Sequence, residues 1–266
     1  MTTKPIQPAS ILRLAYPREA LWDDCELKSR SRRSLLKLLR KRLFKVKFEY
    51  PKTTWSHYRK PSVTIDTNAT LSSLDPHKIH VRDYLVAEQL RRFNPSSVID
   101  IAGNSGAFSL LAKKVLGKET SVITTDYDER AVSTLYSHNK NEGFAIQSAL
   151  DNCIMGDEPL YAAEMGMAFA LTHHLFLGQQ YPFRFIAERL AAHTQSVLLT
   201  EFMPWGLSTG KMGKPEKLPK EYSLKRFVES LEQFFGNVEV VEYPVPPGTS
   251  PRTLIICSEK KCNSRA

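Results

Sequence analysis

Asp100 lies in the apolar run Val98-Ile99-Asp100-Ile101, which is followed at once by the small residues Ala102-Gly103-Asn104-Ser105-Gly106. Such a turn behind a short buried strand leaves backbone N–H groups uncovered, where a ligand can approach closely. A second strand-like run, Val122-Ile123-Thr124-Thr125, ends in Asp126, at the separation expected of a carboxylate that reaches a bound ribose. A third ends at Leu150-Asp151-Asn152, and a continuous apolar run, Met165–Leu171, ends at Thr172-His173-His174. The first turn and Asp126 together suggest a nucleoside-containing cofactor held at the carboxyl ends of a parallel sheet, and His173 and His174 could serve near an acceptor. Each also has a plainer use. Asp126 could cap the helix that follows it, His173 and His174 could satisfy backbone groups at a strand end, and Glu201 could be a buried hydrogen-bonding acid.

To act together, these side chains must stand at the carboxyl ends of neighbouring parallel strands. The pattern provides for that. Strands are expected at Ser97–Ile101, Ser121–Thr125, Phe144–Ala149, Met165–Leu171 and Ser196–Phe202. Helical patterns lie between them. One is opened by Asp75-Pro76 and runs to about Arg92. Another carries Phe108, Leu111 and Val115 and stops at Gly117, and a third runs over Glu129–His138 with Asp128 as its cap. Further helices are expected near Phe183–His193 and Leu224–Phe235. Two final strands, Val238–Tyr243 and Thr253–Cys257, are joined by a stretch too rich in proline for a crossover helix, so they should be antiparallel neighbours. The expected fold is a Rossmann-like, seven-stranded, mostly parallel α/β sheet with helices on both faces and an antiparallel C-terminal hairpin.

The 266 residues are 42% hydrophobic and 24% charged, as in a globular chain, and the net charge is +9. That charge is concentrated. Residues 28–47 hold ten Lys and Arg and no acid, so the remainder is close to neutral. Within this stretch Leu35, Leu36, Leu39, Leu43 and Val46 share one helical arc. The helix could be a solvated face packed on the main domain, a contact for an anionic membrane surface, or a handle for a polyanion; no specific nucleic-acid motif accompanies it. The expected organisation is an N-terminal extension over 1–74, a main domain over 75–260 and a tail over 261–266. The aromatic segment around Trp55 and Tyr58 and the Gly206–Lys220 loop are candidate covers for an acceptor. Cys25, Cys153, Cys257 and Cys262 form no CxxC pair and no metal-type cluster, so no metal site is expected. With no long apolar run and no signal core, a cytoplasmic location is expected, peripheral to the inner membrane if the basic helix binds lipid.

Five β/α units followed by a helix and a terminal antiparallel hairpin resemble the class I S-adenosylmethionine-dependent methyltransferases. Asp100 to Gly106 is similar to that family's glycine-rich first motif, with Ala102 and Asn104 where glycine is frequent. The resemblance implies S-adenosyl-L-methionine as cofactor, bound by Asp100, Ala102, Gly103, Asn104 and Gly106. It also implies Asp126 on the ribose hydroxyls and Asp151 at the adenine amino group. The segment Phe169–Leu175 resembles the part of the fourth strand that faces the transferred methyl, with His173 and His174 as candidate bases. With Leu199-Thr200-Glu201-Phe202-Met203-Pro204, it resembles a bacterial branch that includes nodulation host-specificity methyltransferase-like proteins. The activity implied is methylation, on oxygen, of a small-molecule or glycan-type acceptor. Alternatives are an RNA or protein methyltransferase that uses residues 28–47, and a non-catalytic binding protein of the same fold. An NAD-dependent oxidoreductase is disfavoured by the hairpin and by the incomplete G-x-G-x-x-G.

Overall fold

A computed structural model describes residues 81–156, 158–208, 217–245 and 249–261. The expectations for residues 28–47, for the segment around Trp55 and for the Asp75-Pro76 cap lie outside them. In chain order the elements are α1 (Val81–Phe93), β1 (Ser97–Ile101), α2 (Ala107–Leu116), β2 (Ser121–Asp126), α3 (Glu129–Glu142), β3 (Gln147–Leu150) and β4 (Ala163–Ala168). A π-helical turn (His174–Gly178) follows, then α4 (Phe183–Ala192), β5 (Thr194–Phe202), α5 (Leu224–Leu231), β6 (Phe235–Glu242) and β7 (Thr253–Lys260).

The seven strands form one sheet in the order β3-β2-β1-β4-β5-β7-β6. The first five are parallel, and β7 lies antiparallel between β5 and β6. Alternation along the strands divides the core into two layers. Val98, Met165, Met167, Leu199 and Leu254 pack with apolar residues of α1, α2 and α3. Their neighbours Ile99, Ala168, Leu198 and Ile255 pack with α4 and α5. The chain goes outward from β1 to β2 and β3, then returns to the other side of β1 with β4. This reversal opens a crevice at the carboxyl ends of β1 and β4.

Several boundaries differ from the sequence reading. β4 stops at Ala168, because Ala170 turns left-handed (φ 52°) and its N–H leaves the ladder for Glu201 Oε2 at 3.1 Å. The third strand starts at Gln147. Before it, the Asn139 side chain brackets Ile146, donating to its carbonyl at 2.6 Å and accepting from its N–H at 3.0 Å, and Ala145 is left-handed. α5 ends at Leu231, so that Phe235 begins β6, and the hairpin is longer at that end than expected. His173 and His174 stand at the start of the π-helical turn rather than at a strand end.

Candidate functional site

The turn after β1 is held open by its own conformation and by its neighbours. Ala102 (φ 53°), Asn104 (φ 51°) and Gly106 (φ 76°) are all left-handed, a region that costs a residue with a Cβ about 1–2 kcal/mol. Backbone bonds offset that cost. The Gly103 N–H donates to Thr125 O at 3.0 Å, and the Asn104 N–H donates to Asp126 Oδ2 at 2.8 Å. Gly103 has no room for a side chain, since a Cβ there would lie 2.5 Å from Asp100 Cγ and 2.7 Å from Thr124 Cγ2. Asp100 in turn accepts from the N–H and hydroxyl of Ser109, at 3.1 and 3.0 Å, and so fixes the start of α2. Asp126 also accepts from the Asp128 N–H at 2.8 Å, and its carbonyl takes the Asp151 N–H at 3.0 Å. The ends of β1, β2 and β3 are thereby tied together. Helix capping falls to Asp128, which accepts from Arg130 and Ala131.

These ends surround a cavity of about 400 Å³, a volume suited to a small ligand. Of the residues singled out in the sequence, Asp100, Ala102, Gly103, Asn104, Asp126, Asp151 and His174 line it. Gly106 and His173 stand outside that lining. Gly106 lies against Leu135, where a Cβ would be 2.7 Å from Cδ1, so its place is in packing the turn on α3. Asp151 Oδ2 is buried and has no hydrogen-bond partner among the described residues. Burial pushes the Asp126 carboxyl above its ordinary range, against the opposing pull of the Asp128 and Asn104 N–H groups. The loop after β3 is anchored from behind. Arg189 donates to the carbonyls of Cys153 and Met155, each at 3.0 Å, and His193 Nδ1 meets the Tyr161 carbonyl at 2.7 Å. Cys153 lines the cavity as a thiol that burial pushes up to about 12, which makes it an inert wall.

The far side is organised by Glu201, whose side chain is fully enclosed. It accepts from Arg82 Nη1 at 3.1 Å, Arg252 Nη1 at 3.1 Å, the Tyr243 hydroxyl at 2.8 Å and the Ala170 N–H at 3.1 Å. Burial pushes its carboxyl up, but the charges of Arg82 and Arg252 outweigh that and hold it below the usual range. The hydrogen-bonding reading of this acid is therefore the one its contacts bear out. Arg82 also lies over the Phe108 ring, 4.8 Å from its centre, and Phe108 packs on Phe169 with ring centres 4.2 Å apart. All three line the cavity. His173 is buried at 4% exposure, its ring centre 4.0 Å from that of His174. Burial, then the charges of His174 and Arg252, lower His173 to about 3, and burial lowers His174, so both are neutral near pH 7. Sequence reasoning missed Arg82, Arg252 and Tyr243. The available signal was Arg82 itself, a cation between Val81 and Asp83 in the first turn of α1.

No protein-family model matches the sequence, and no curated protein matches it. Solved structures do share its architecture. A candidate O-methyltransferase from Nostoc punctiforme PCC 73102 superposes with a TM-score of 0.51 at 11% identity, over 71% of this chain and 58% of that one. The chain thus spans less than two thirds of the Nostoc protein. The methyltransferase domain of bacterial CtHen1-CN gives 0.51 at 13% identity, over 66% of this chain and 97% of that one. The PH0226 protein from Pyrococcus horikoshii OT3 gives 0.50 at 11% identity, over 69% and 92%. Identities this low speak to architecture alone. The chain has the fold of these structures, the first two of which are described as methyltransferases.

Proposed function

We propose that this chain is an S-adenosyl-L-methionine-dependent methyltransferase that methylates a hydroxyl of a small-molecule or glycan-type acceptor. The observation that carries the reading is the unpartnered buried oxygen of Asp151, set in the same cavity as Asp126 and the β1 turn. A buried carboxylate oxygen without a donor is costly, and a ligand N–H would relieve it. The residues fit such a group: Asp151 would accept from the adenine amino group, and Asp126 would accept from the ribose hydroxyls. Gly103, with no room for a side chain, lets the turn pack directly on Asp100 and Thr124. When bound, the cofactor supplies a methyl group already activated by its sulfonium. The chain has then to orient an acceptor and exclude water. Phe108, Phe169, Leu171 and Leu175 give the acceptor side an apolar wall. His174, neutral and facing the cavity, can take the hydroxyl proton on a ring nitrogen. His173 packs against it, with ring centres 4.0 Å apart. Two free, buried cysteines suit a reducing compartment, in keeping with a cytoplasmic enzyme. The bacterial branch resembled by Phe169–Leu175 together with Leu199–Pro204 is part of this proposal.

The test uses the full chain with methyl-labelled cofactor and a small-molecule extract, with products read by mass spectrometry. The reading expects a labelled O-methyl product. It expects His174→Ala to lower kcat by about 10²–10⁴-fold with cofactor affinity retained. Unchanged transfer after replacing both histidines by Ala removes them from the reaction. Cofactor binding with no labelled product favours a binding protein instead.

A further inference from the structure

The last rung of the β4–β5 ladder pairs Ala168 with Thr200. Beyond it the segment is tied to β5 through side chains instead. The Ala170 N–H donates to Glu201 Oε2 at 3.1 Å, and the Thr172 hydroxyl donates to the Glu201 main-chain carbonyl at 2.8 Å. One residue of β5 thus takes the segment twice, by its side chain and by its backbone. Leu171 stands between these two bonds. Its carbonyl accepts the N–H groups of His174 and Leu175, at 3.0 and 3.2 Å, where the π-helical turn opens. Thr172 is buried behind this segment, whereas Phe169, Ala170, Leu171, His174 and Leu175 line the cavity.

Two irregularities meet here. Ala170 is left-handed (φ 52°), a conformation that a residue with a Cβ keeps only where its surroundings impose it. The π-helical turn behind it is of a kind that gathers at functional sites. Resting on the methyl-transfer reading with His174 as base, we infer that Thr172 is a positioning residue. Its bond to the Glu201 carbonyl fixes where the π-helical turn begins, and so where the His174 imidazole stands in the cavity. A β-branched side chain is stiff at χ1, which makes the hydroxyl a short and rigid tether. His174 follows two residues later, and a displacement of about 1 Å at a reacting group can lower a rate by about 10²-fold. Thr200 supplies the contrast. Its hydroxyl donates to the Ala168 carbonyl at 3.0 Å and is equally buried, but Ala168 is already held by the ladder.

The test measures initial rates with methyl-labelled S-adenosylmethionine and the extract fraction that yields the labelled product, at several dilutions of that fraction. Thr172→Val keeps the shape and removes the donor. It is expected to lower kcat by about 10–10²-fold, with the apparent KM for the fraction and the S-adenosylhomocysteine affinity changed by less than about threefold. Thr172→Ser should restore kcat to within about threefold of the unaltered chain, and Thr200→Val should stay in the same range. The decisive arm is the double variant. Added to His174→Ala, Thr172→Val should lower kcat by less than about a further threefold, because a residue that acts through the imidazole then has nothing to position. If Thr172→Val does not fold, Thr172→Ala set against Thr172→Ser carries the same comparison. Unchanged kcat in Thr172→Val, an equal loss in Thr200→Val, or losses that multiply in the double variant overturn the inference and leave the methyl-transfer reading standing. Unchanged kcat in His174→Ala, or no labelled product from the unaltered chain, refutes that reading and this inference with it.

Discussion

Nη1 of Arg82 donates to Oε2 of Glu201 across 3.1 Å, joining α1 to β5 over 119 residues of sequence. The pair is enclosed, with side-chain exposures of 13% and 0%. Glu201 thus gathers α1, the turn after β4 and the approach to β7 at one carboxylate, and it holds Ala170 in its left-handed conformation.

Glu201→Ala should therefore be severe. Removing one partner of a buried ion pair leaves uncompensated charge and costs about 3–5 kcal/mol. Tyr243→Phe removes one hydrogen bond to the same carboxylate and should cost about 1.5–3 kcal/mol. Urea denaturation of both variants checks the order. Equal small losses would show that the cluster does not tie these elements together.

Asp126→Asn is predicted to strike affinity and stability together. The carboxylate accepts two backbone N–H groups at 2.8 Å while lining the cavity. Loss of its charge should weaken cofactor binding by about tenfold or more and destabilise the fold by about 1–2 kcal/mol. Calorimetry with S-adenosylhomocysteine and a thermal melt read the two effects separately.

The β1 turn predicts opposite effects at adjacent positions. Gly103→Ala drives a methyl into Asp100 and Thr124 and should cost about 1–3 kcal/mol. Ala102→Gly relieves a left-handed alanine (φ 53°). The relief exceeds the added chain entropy, so a gain of about 0.5–1 kcal/mol is expected. Denaturation midpoints of the two variants should move in opposite directions.

What was legible in the sequence was what short-range pattern dictates. The acids behind β1, β2 and β3, the small-residue turn between β1 and α2, and the proline-rich link before β7 all act within a few residues of themselves. The strand order and the tying of Asp126 to the β1 turn came only with the structure, because each joins residues of different strands. Arg82 was not legible, because its role depends on a carboxylate in another strand and an aromatic ring in another helix. The end of β4 was missed for the same reason. Phe169-Ala170-Leu171 is as apolar as the strand before it, and only the distant Glu201 turns Ala170 out of the ladder.

His173 predicts a pH dependence of stability. Burial, with the charges of His174 and Arg252, lowers it to about 3 from 6.5. Between those values the unfolded chain binds a proton that the folded chain does not. Its contribution is thus present above about pH 6.5 and is lost as the pH falls towards 3. At pH 5 the loss is about 2 kcal/mol. Glu201, held below its ordinary range by Arg82 and Arg252, adds a further loss beneath about pH 4.5. Urea midpoints at pH 7 and pH 5 should differ more for the unaltered chain than for His173→Gln. An identical difference in the two would contradict the burial of a neutral imidazole.

The central claim is that the cavity between the β1 turn, Asp126 and Asp151 holds an adenosine-bearing cofactor. Isothermal titration of the full chain with S-adenosylhomocysteine tests it most directly, with Asp151→Ala as the paired variant. Saturable one-to-one binding, weakened about tenfold or more by the variant, is the predicted result. Absence of binding at millimolar concentration, or affinity indifferent to Asp151, would contradict the account.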